Sequence, residues 1–413
     1  MGHTPVLVAG SAICSFVFAS GTLFQAASSE SEPERLPGSR PTIRADQFRS
    51  LQAAFDALPP EGGKVLLPAG TFEIFEPIVV TQHDVLIQGC GTASHIRNMN
   101  TDGKPGLVLR PPVDRPDVSE LQWRVTLSDF RLSGNEQSGH GIMAKDVNEL
   151  YINGVTVTEN GGDGIHLDHA YEDPRVCNSL ITYNRGTGLY LTRCHDIVVS
   201  ANQFEENQDA LRCLDSYNLC MTGNNLDDHL GDGVVIEDTY GSVLSGNMIE
   251  ECKGTAVVLD RNCYGITLSA NVIAHNESGG IDLRHAHGCA VSGNTFTLVR
   301  RDALRIGPMS GRITVTGNNF SNSFLGAGGE QRHKNEEPAS GLVLEGTKSV
   351  TVCGNIFSGL STPAVSGNLP SQHVLFANNV IDDVVKEPVD HQSLSGLVTD
   401  NLDVPRTKTQ GER

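Results

Sequence analysis

The sequence predicts an all-β fold in which short strands wind into a parallel β-helix. The main observation is an asparagine that returns at the end of a short apolar strand, as in VSGNTF at residues 291–296. The steps between successive copies are 22, 23, 24, 23, 24 and 37 residues. A period in this range is typical of solenoids, and the segments between turns are too short for strand–helix–strand units. The repeating asparagines are Asn202, Asn224, Asn247, Asn271, Asn294, Asn318 and Asn355.

Coils that stack in register place equivalent side chains above one another. Parallel strands lie about 4.8 Å apart, and an asparagine amide both donates and accepts, so the amides can bond along the stack. A hydroxyl residue two positions before each asparagine from Asn202 to Asn318, such as Ser292, predicts a second ladder. An apolar residue two positions after it, such as Phe296, predicts an interior stack. Leucine-rich repeats, the competing solenoid, need a leucine spacing that this sequence lacks.

The chain is predicted to contain five segments. It begins with an apolar stretch followed by small residues, which predicts a signal peptide, with an N-terminal membrane anchor as the alternative. Apolar residues at helical spacing from Phe48 to Leu58 predict a capping helix. About 10–11 coils at the ordinary strand spacing follow. The predicted segments are the signal peptide at 1–28, a polar linker at 29–44, the N-terminal cap and β-helix entry at 45–124, the repeats at 125–385 and a polar C-terminal tail at 386–413.

Charge and cysteine content limit the classes of partner. The formal net charge is −19, which argues against nucleic acid, because that affinity comes from lysine and arginine on phosphates. We expect a secreted, periplasmic or cell-surface monomer with no membrane partner after export. The chain has 10 cysteines, most of them in repeat columns that other coils fill with small or apolar residues. We therefore expect buried thiols rather than disulfides.

Two stretches near the start carry a resemblance to a known group of proteins. LQAAFDALPPEGGKVLLPAGTF at residues 51–72 and DVLIQGCG at 84–91 resemble the N-terminal entry of the pectate-lyase-like superfamily. The repeats resemble the right-handed β-helix region that polysaccharide lyases, epimerases, polygalacturonases and proteins of unknown role share. The resemblance implies a single-stranded right-handed parallel β-helix and a polysaccharide substrate. It does not fix the activity, since one fold supports many functions.

Chemistry on such a fold must lie on its outer face, because the interior is packed. The outward residues His166, Tyr190 and Arg212 are predicted to follow one another on adjacent coils. A base, a phenol and a guanidinium in one line suit proton abstraction beside a sugar carboxylate. The candidate catalytic residues are His166, Asp163, Asp168, Tyr190, Asp209 and Arg212. The candidate substrate-binding residues are Asp232, Glu237, Asp282, Arg284 and Arg305.

Three functions remain open at this point. The first is a lyase or epimerase that acts on a uronic-acid-containing glycan, and the second is a polygalacturonase-like glycoside hydrolase that uses aspartates. The third is a non-catalytic glycan-binding or surface protein. We expect no required cofactor, although Asp209 and Asp232 on neighbouring coils could bind calcium. A further column of rings predicts either a sugar-binding surface or support for a turn; it consists of His195, Tyr217, Tyr240, Tyr264 and His287.

Overall fold

A computed structural model describes residues 36–321, 339–384 and 387–404. The predicted signal peptide lies outside these residues. The chain divides into two units between Ser39 and Arg40. In the first unit, the described residues Leu36–Ser39 form a turn in which the Ser39 N–H donates to the Leu36 carbonyl. The rest of this subsection concerns the second unit.

The second unit begins with the predicted capping helix. The strand Thr42–Arg44 leads into a short 3-10 helix, Ala45–Gln47. The α-helix spans Leu51–Asp56, and the Ser50 side chain caps it by accepting from the Ala53 N–H. The helix starts after Phe48, because Ser50 has an extended backbone that ends any earlier helical path. A second 3-10 helix spans Val118–Glu120.

All described strand pairs are parallel and form three long sheets and one short pair. Sheet I has 12 strands: Ile78–Val80, Leu107–Leu109, Ile142–Lys145, Ile165–Asp168, Leu189–Thr192, Leu211–Leu214, Val234–Glu237, Thr255–Asp260, Gly279–Leu283, Leu304–Ile306, Leu342–Leu344 and Val365–Ser366. Sheet II has 17 strands: Thr42–Arg44, Gly63–Leu66, Val85–Gln88, Val125–Ser128, Tyr151–Asn153, Arg175–Cys177, Val198–Ser200, Cys220–Thr222, Val243–Ser245, Cys263–Tyr264, Thr267–Ser269, Ala286–His287, Ala290–Ser292, Gly311–Thr316, Lys348–Cys353, Ser371–Ala377 and Leu394–Thr399. Sheet III has 14 strands: Gly70–Ile74, Ser94–Asn98, Arg131–Ser133, Thr156–Thr158, Leu180–Thr182, Gln203–Glu205, Asn225–Asp227, Met248–Glu250, Val272–Ala274, Thr295–Thr297, Asn319–Ser321, Ile356–Ser358, Val380–Asp382 and Leu402–Val404. Gln122–Trp123 pairs with Val147–Asn148.

The fold class is confirmed, and the solenoid is longer than predicted. It has about 14 turns rather than 10–11, because coils already form in residues 63–109 and continue to Val404. The N-terminal coils lack the repeated asparagine phrase. At the C-terminal end, Asn379 and Asn401 follow Asn355 at steps of 24 and 22 residues, so a count that stops at Asn355 misses coils at both ends. Leu394–Thr399 and Leu402–Val404 pair with preceding coils, so the β-helix extends into the predicted polar tail.

The predicted asparagine ladder is confirmed at the bend between sheets II and III. From Asn202 onward, each Nδ2 donates to the Oδ1 of the next asparagine at 2.9–3.0 Å. That Oδ1 also accepts the backbone N–H of the preceding asparagine. Asn379 and Asn401 extend the ladder beyond the predicted set. Such full pairing is needed because an unpaired buried amide is destabilising.

The interior stack and the free thiols are also as predicted. The rings of Phe296 and Phe320 are parallel, with centroids 4.6 Å apart, and Phe357 continues the stack at 4.8 Å. All nine described cysteines are free and six of them are buried. Burial raises the pKa of the Cys194 thiol to about 12, which keeps it protonated and inert.

A second ladder lies at the bend between sheets III and I and was not predicted. Asn160 Nδ2 donates to Asn184 Oδ1, and Asn184 Nδ2 donates to Asn207 Oδ1, both at 2.8 Å. His229 takes the next place, where its Nδ1 accepts from the Asn207 N–H at 3.3 Å. Its Nε2 is buried and has no hydrogen-bond partner among the residues that the structure describes. Because His229 is fully buried, this unpaired nitrogen is a weak point of the stack.

Neighbouring asparagines allow a matched test of the first ladder. Asn224→Ala removes bonds to Asn202, Asn247 and the Val199 carbonyl, so it should reduce the free energy of unfolding by about 1–3 kcal/mol. Asn225→Ala removes one half-exposed bond to Gln203 and should cost about 0.5 kcal/mol or less. Denaturant unfolding measures both, and equal losses would contradict the ladder's role.

The second ladder predicts a pH effect on stability. Burial lowers the pKa of His229 to about 4 from the ordinary 6.5, so the unfolded chain binds a proton that the folded chain excludes. Stability contributed by the neutral ring is therefore lost as pH falls from about 6.5 towards 4. His229→Asn should raise the melting temperature at pH 5 and flatten this dependence.

His373→Asn is the control, because His373 is exposed. Its melting temperature should follow that of the unmodified protein from pH 7 to pH 4. Parallel curves for all three proteins would show that His229 does not cause the acid sensitivity.

Candidate functional site

The predicted outward column lies on sheet I in the predicted register. His166 pairs with Tyr190, and Tyr190 pairs with Arg212, as Cα partners on adjacent coils. All three side chains are half-buried, while Leu167 and Leu191 between them point into the core. The alternation follows from the two-residue period of a strand, which places every second side chain on the outer face. The sheet therefore brings an imidazole, a phenol and a guanidinium into one line.

An aspartate fixes the orientation of the His166 ring. Asp163 Oδ2 lies 2.9 Å from His166 Nδ1. An ionised carboxylate only accepts, so Nδ1 carries the proton, and Nε2 of the neutral ring is left as a base. The Tyr190 ring meets the His166 ring edge-on, with centroids 4.9 Å apart. This arrangement pairs a proton acceptor with a phenolic proton donor on the next coil.

Asp163 stays ionised although it is largely buried. Burial alone would raise its pKa, but hydrogen bonds to the carboxylate outweigh that effect and hold the pKa well below its usual range. His166 donates to Oδ2, and the Thr187 N–H donates to Oδ1 at 2.8 Å. His140 Nδ1 lies 3.2 Å from the same carboxylate. That nitrogen accepts the Asp163 N–H at 2.9 Å, so His166 is the main imidazole donor.

Asp163, Asp209 and Asp232 stand at equivalent turns, each two residues before a strand of sheet I, and they share a structural role. One carboxylate oxygen of each accepts a backbone N–H of a following coil. Asp209 accepts from Asp232, and Asp232 accepts from Thr255, at 2.8 and 2.7 Å. Burial and, less strongly, the Asp209 charge raise the pKa of Asp232, and the Thr255 N–H opposes that shift. In Asp163, Asp209 and Asp232, one carboxylate oxygen therefore accepts a backbone N–H at the turn. The other oxygen of each can bind other partners.

Arg212 does not have the free guanidinium that the sequence analysis assumed. Its Nη1 lies 3.0 Å from Asp209 Oδ2, and its Nη2 lies 3.2 Å from Glu237 Oε2. Glu237 also contacts Arg261 at 3.1 Å. The Asp209 and Glu237 side chains are only 10% and 12% exposed, so they need a cation nearby. Arg212 neutralises these two carboxylates of its own protein.

The remaining predicted residues form ion pairs and divide into two groups. Asp168 binds Arg193, with its Oδ1 3.1 Å from Nε, close to His166. Asp282 contacts Arg284 at 2.8 Å and Arg305 at 3.3 Å. The second group lies five coils beyond His166 along the column, about 24 Å away at the ordinary strand spacing. Two buried valines, Val235 and Val258, lie between the groups.

The predicted column of rings is present and continues to Tyr171. Tyr171 stacks on His195 at 4.9 Å, and Tyr217 lies 4.4 Å from Tyr240. Tyr240 and Tyr264 are about half exposed. The predicted column starts at His195, because a different number of residues separates Tyr171 from the following bend. The geometry fits support for a turn as well as a sugar-binding surface.

Two groups of described side chains could hold a metal ion. In each, the ligand atoms lie within 4.8 Å of one another: His140, Asp163 and His166 in one, and Asp227, Asp228 and Glu251 in the other. In the first group, the side chains of His140 and His166 already contact the Asp163 carboxylate. In the second, burial and neighbouring carboxylates raise the pKa of Asp227 to about 6. The Asp209–Asp232 calcium site stays a prediction, as does the absence of a required cofactor.

Arg212 and Arg193 provide a matched test of these ion pairs. Arg212→Ala leaves the poorly exposed Asp209 without its cation and Glu237 with Arg261 alone, so it should reduce the free energy of unfolding by about 1–3 kcal/mol. The control, Arg193→Ala, breaks a pair whose arginine is 53% exposed, and should cost at most about 1 kcal/mol. Denaturant unfolding of both variants would contradict the assignment if Arg193→Ala were the more damaging change.

Solved structures with this architecture include carbohydrate-related proteins. The A-module of mannuronan C-5 epimerase AlgE4 from Azotobacter vinelandii matches with a TM-score of 0.53 and 16% identity, over 88% of this chain and 100% of that chain. The A-module of mannuronan C-5 epimerase AlgE6 from the same organism matches with a TM-score of 0.50 and 16% identity, over 88% of this chain and 100% of that chain. Tailspike protein 3 of bacteriophage CBA120 matches with a TM-score of 0.56 and 12% identity, over 84% of this chain and 62% of that chain. At these identities the likeness concerns the fold.

Sequence comparison gives a family but no characterised relative. No curated protein sequence matches the chain. Among the described residues, no helix is long and apolar enough to cross a membrane. The right-handed β-helix region family matches residues 140–296 and 256–402, which together cover more than half of the chain and include the His166, Tyr190 and Arg212 coils. The protein therefore belongs to the right-handed β-helix family.

Proposed function

We propose that this protein is a lyase or epimerase that removes the C5 proton of a uronic-acid residue in a polysaccharide. The observation that carries the proposal is the His166 ring on sheet I. Its Nδ1 is held by Asp163, and Tyr190 lies one coil away. A general base needs a free nitrogen and a fixed orientation, and both follow from this arrangement.

The residues have distinct roles in the proposed reaction. His166 Nε2 accepts the C5 proton, and Asp163 stabilises the imidazolium that forms without taking the proton itself. The Tyr190 hydroxyl then donates a proton. Donation to C5 from the opposite face inverts the sugar, while donation to the leaving oxygen on C4 completes an elimination. The same pair thus supports both reactions, and the position of the bound sugar decides between them.

The structural neighbours support the scaffold rather than the chemistry. Two of them are modules of mannuronan C-5 epimerases, so a β-helix of this kind can carry uronate chemistry. Since fold alone does not fix function, the proposal depends on the His166 site. The predicted export to the surface, periplasm or medium, with a polysaccharide as the partner of a monomer, is part of the same proposal.

A glycoside hydrolase is the second candidate, and one observation favours it. Asp232, whose pKa is raised by burial, lies one coil from Asp209, which remains paired with Arg212. A carboxyl group that holds its proton more tightly than usual, next to a carboxylate paired with an arginine, is the kind of pair that hydrolysis requires. However, each of these aspartates already caps a backbone N–H, which restricts its movement. We therefore place this function second.

A panel of polyuronates tests the proposal. The protein should produce unsaturated ends that absorb in the ultraviolet, or inverted residues that NMR detects. His166→Gln should lower kcat by about 10²–10⁴-fold with little change in melting temperature, because the glutamine amide can still donate to Asp163. Tyr190→Phe should lower kcat as well, since it loses the proton donor.

His373→Gln, a change at an exposed histidine on sheet II, is the control and should leave kcat unchanged. New reducing ends without unsaturation would favour the hydrolase. Binding without any product would indicate a glycan-binding protein. Full activity in His166→Gln would overturn the assigned base.

A further inference from the structure

A uronate substrate creates a charge problem at the His166 site. Removing the C5 proton places negative charge on the adjacent carboxylate, so a cation must neutralise it. The arginines on or directly after the strands of sheet I in these coils all have carboxylate partners. These pairs are Arg193 with Asp168, Arg212 with Asp209 and Glu237, Arg261 with Glu237, and Arg284 and Arg305 with Asp282.

Lys145 differs from these arginines. It ends the strand Ile142–Lys145, is half-buried, and points outward like Met143. Within residues 36–321, 339–384 and 387–404, no carboxylate lies within ion-pair distance of its Nζ. Its partner across the sheet is Asp168, and that carboxylate is held by Arg193. Among the described residues, Lys145 is thus a cation on this face without a carboxylate partner.

The register places Lys145 close to the proposed base. Met143, two residues earlier on the same strand, is the Cα partner of His166. One step across the sheet and two along the strand give about 8 Å between the Lys145 and His166 Cα atoms. A lysine carries its ammonium on a flexible four-carbon stem, so Nζ can reach a carboxylate on a sugar whose C5 faces His166. Arg212, two coils from His166, is further away and already paired.

We infer that Lys145 binds the carboxylate of the uronate whose C5 proton His166 removes, and that it takes the role first assigned to Arg212. This inference rests on the proposed function. In the step, the C5–H bond breaks, the proton goes to His166 Nε2, and the electron pair moves into the carboxylate, where the Lys145 ammonium stabilises it. The pair then returns to form either a new C5–H bond with a proton from Tyr190 or the C4–C5 double bond. In the second case the C4–O bond breaks and the leaving oxygen takes the Tyr190 proton.

The inference has a consequence for substrate selection. An ammonium that faces the carboxylate favours the free acid, while a methyl ester offers it no charge. A polymer with free carboxylates should therefore bind better than the same polymer after esterification, and added salt should weaken only the first. Arg212 would give no such discrimination, because Asp209 and Glu237 already neutralise it.

Binding titrations with a polyuronate and its methyl ester test this inference without requiring turnover. Lys145→Gln should weaken binding of the free acid by about tenfold at low salt and reduce its salt dependence. Binding of the ester and the melting temperature should not change. Lys145→Arg should restore most of the affinity. The matched control is Lys348→Gln, an exposed lysine on sheet II, which should behave like the unmodified protein.

Each outcome separates the inference from the proposed function. Equal effects of Lys145→Gln on acid and ester, or no effect on either, would overturn the role of Lys145. If the unmodified protein turns over only the ester, the proton-abstraction function stands and the Lys145 inference fails. If it binds the acid through Lys145 but forms no product, the carboxylate contact of Lys145 stands, while its part in proton removal fails together with the proposed function.

Discussion

The structure depends on one constraint, the in-register stacking of parallel coils. Backbone hydrogen bonds hold each strand to the coils before and after it. A residue type that repeats once per coil therefore lies next to the same residue type on the neighbouring coils. The asparagine ladder from Asn202 to Asn401 uses this constraint directly. Each amide hydrogen-bonds to the amides of the neighbouring coils. A shift of the strand register by one residue would bury unpaired polar groups throughout the bend. Register is therefore specified by polar pairing as well as by the apolar interior.

The same constraint positions the candidate site. His166 and Tyr190 lie 24 residues apart in sequence but are neighbours because one coil separates them. The outer face brings carboxylates together in the same way, and Arg212 lies between Asp209 and Glu237. In a chain with a net charge of −19, most cations on this face are needed to balance the protein's own carboxylates. An unpaired lysine such as Lys145 is then more informative about a substrate than a paired arginine.

The sequence predicts the features that repeat and misses those that depend on side-chain geometry. The fold class, the asparagine ladder and the register of the His166 column follow from the period. The additional N-terminal coils do not follow from the period. Val85 and Val125 occupy adjacent strands of sheet II, although the connection between them is longer than one repeat. The second ladder was missed because His229 interrupts the repeated letter. The partners of Arg212 were missed because they depend on which way a long side chain turns, which periodicity does not determine.

The measurement that tests the account most directly follows the C5 hydrogen of a polyuronate by NMR in deuterated water. We expect this hydrogen to be replaced by deuterium with inversion, or to be lost as the C4–C5 double bond forms. Both outcomes require a base that removes the C5 proton, as His166 is positioned to do. Cleavage with the C5 hydrogen fully retained and new reducing ends would contradict the account, because it would show that the aspartates, rather than the His166 line, perform the chemistry.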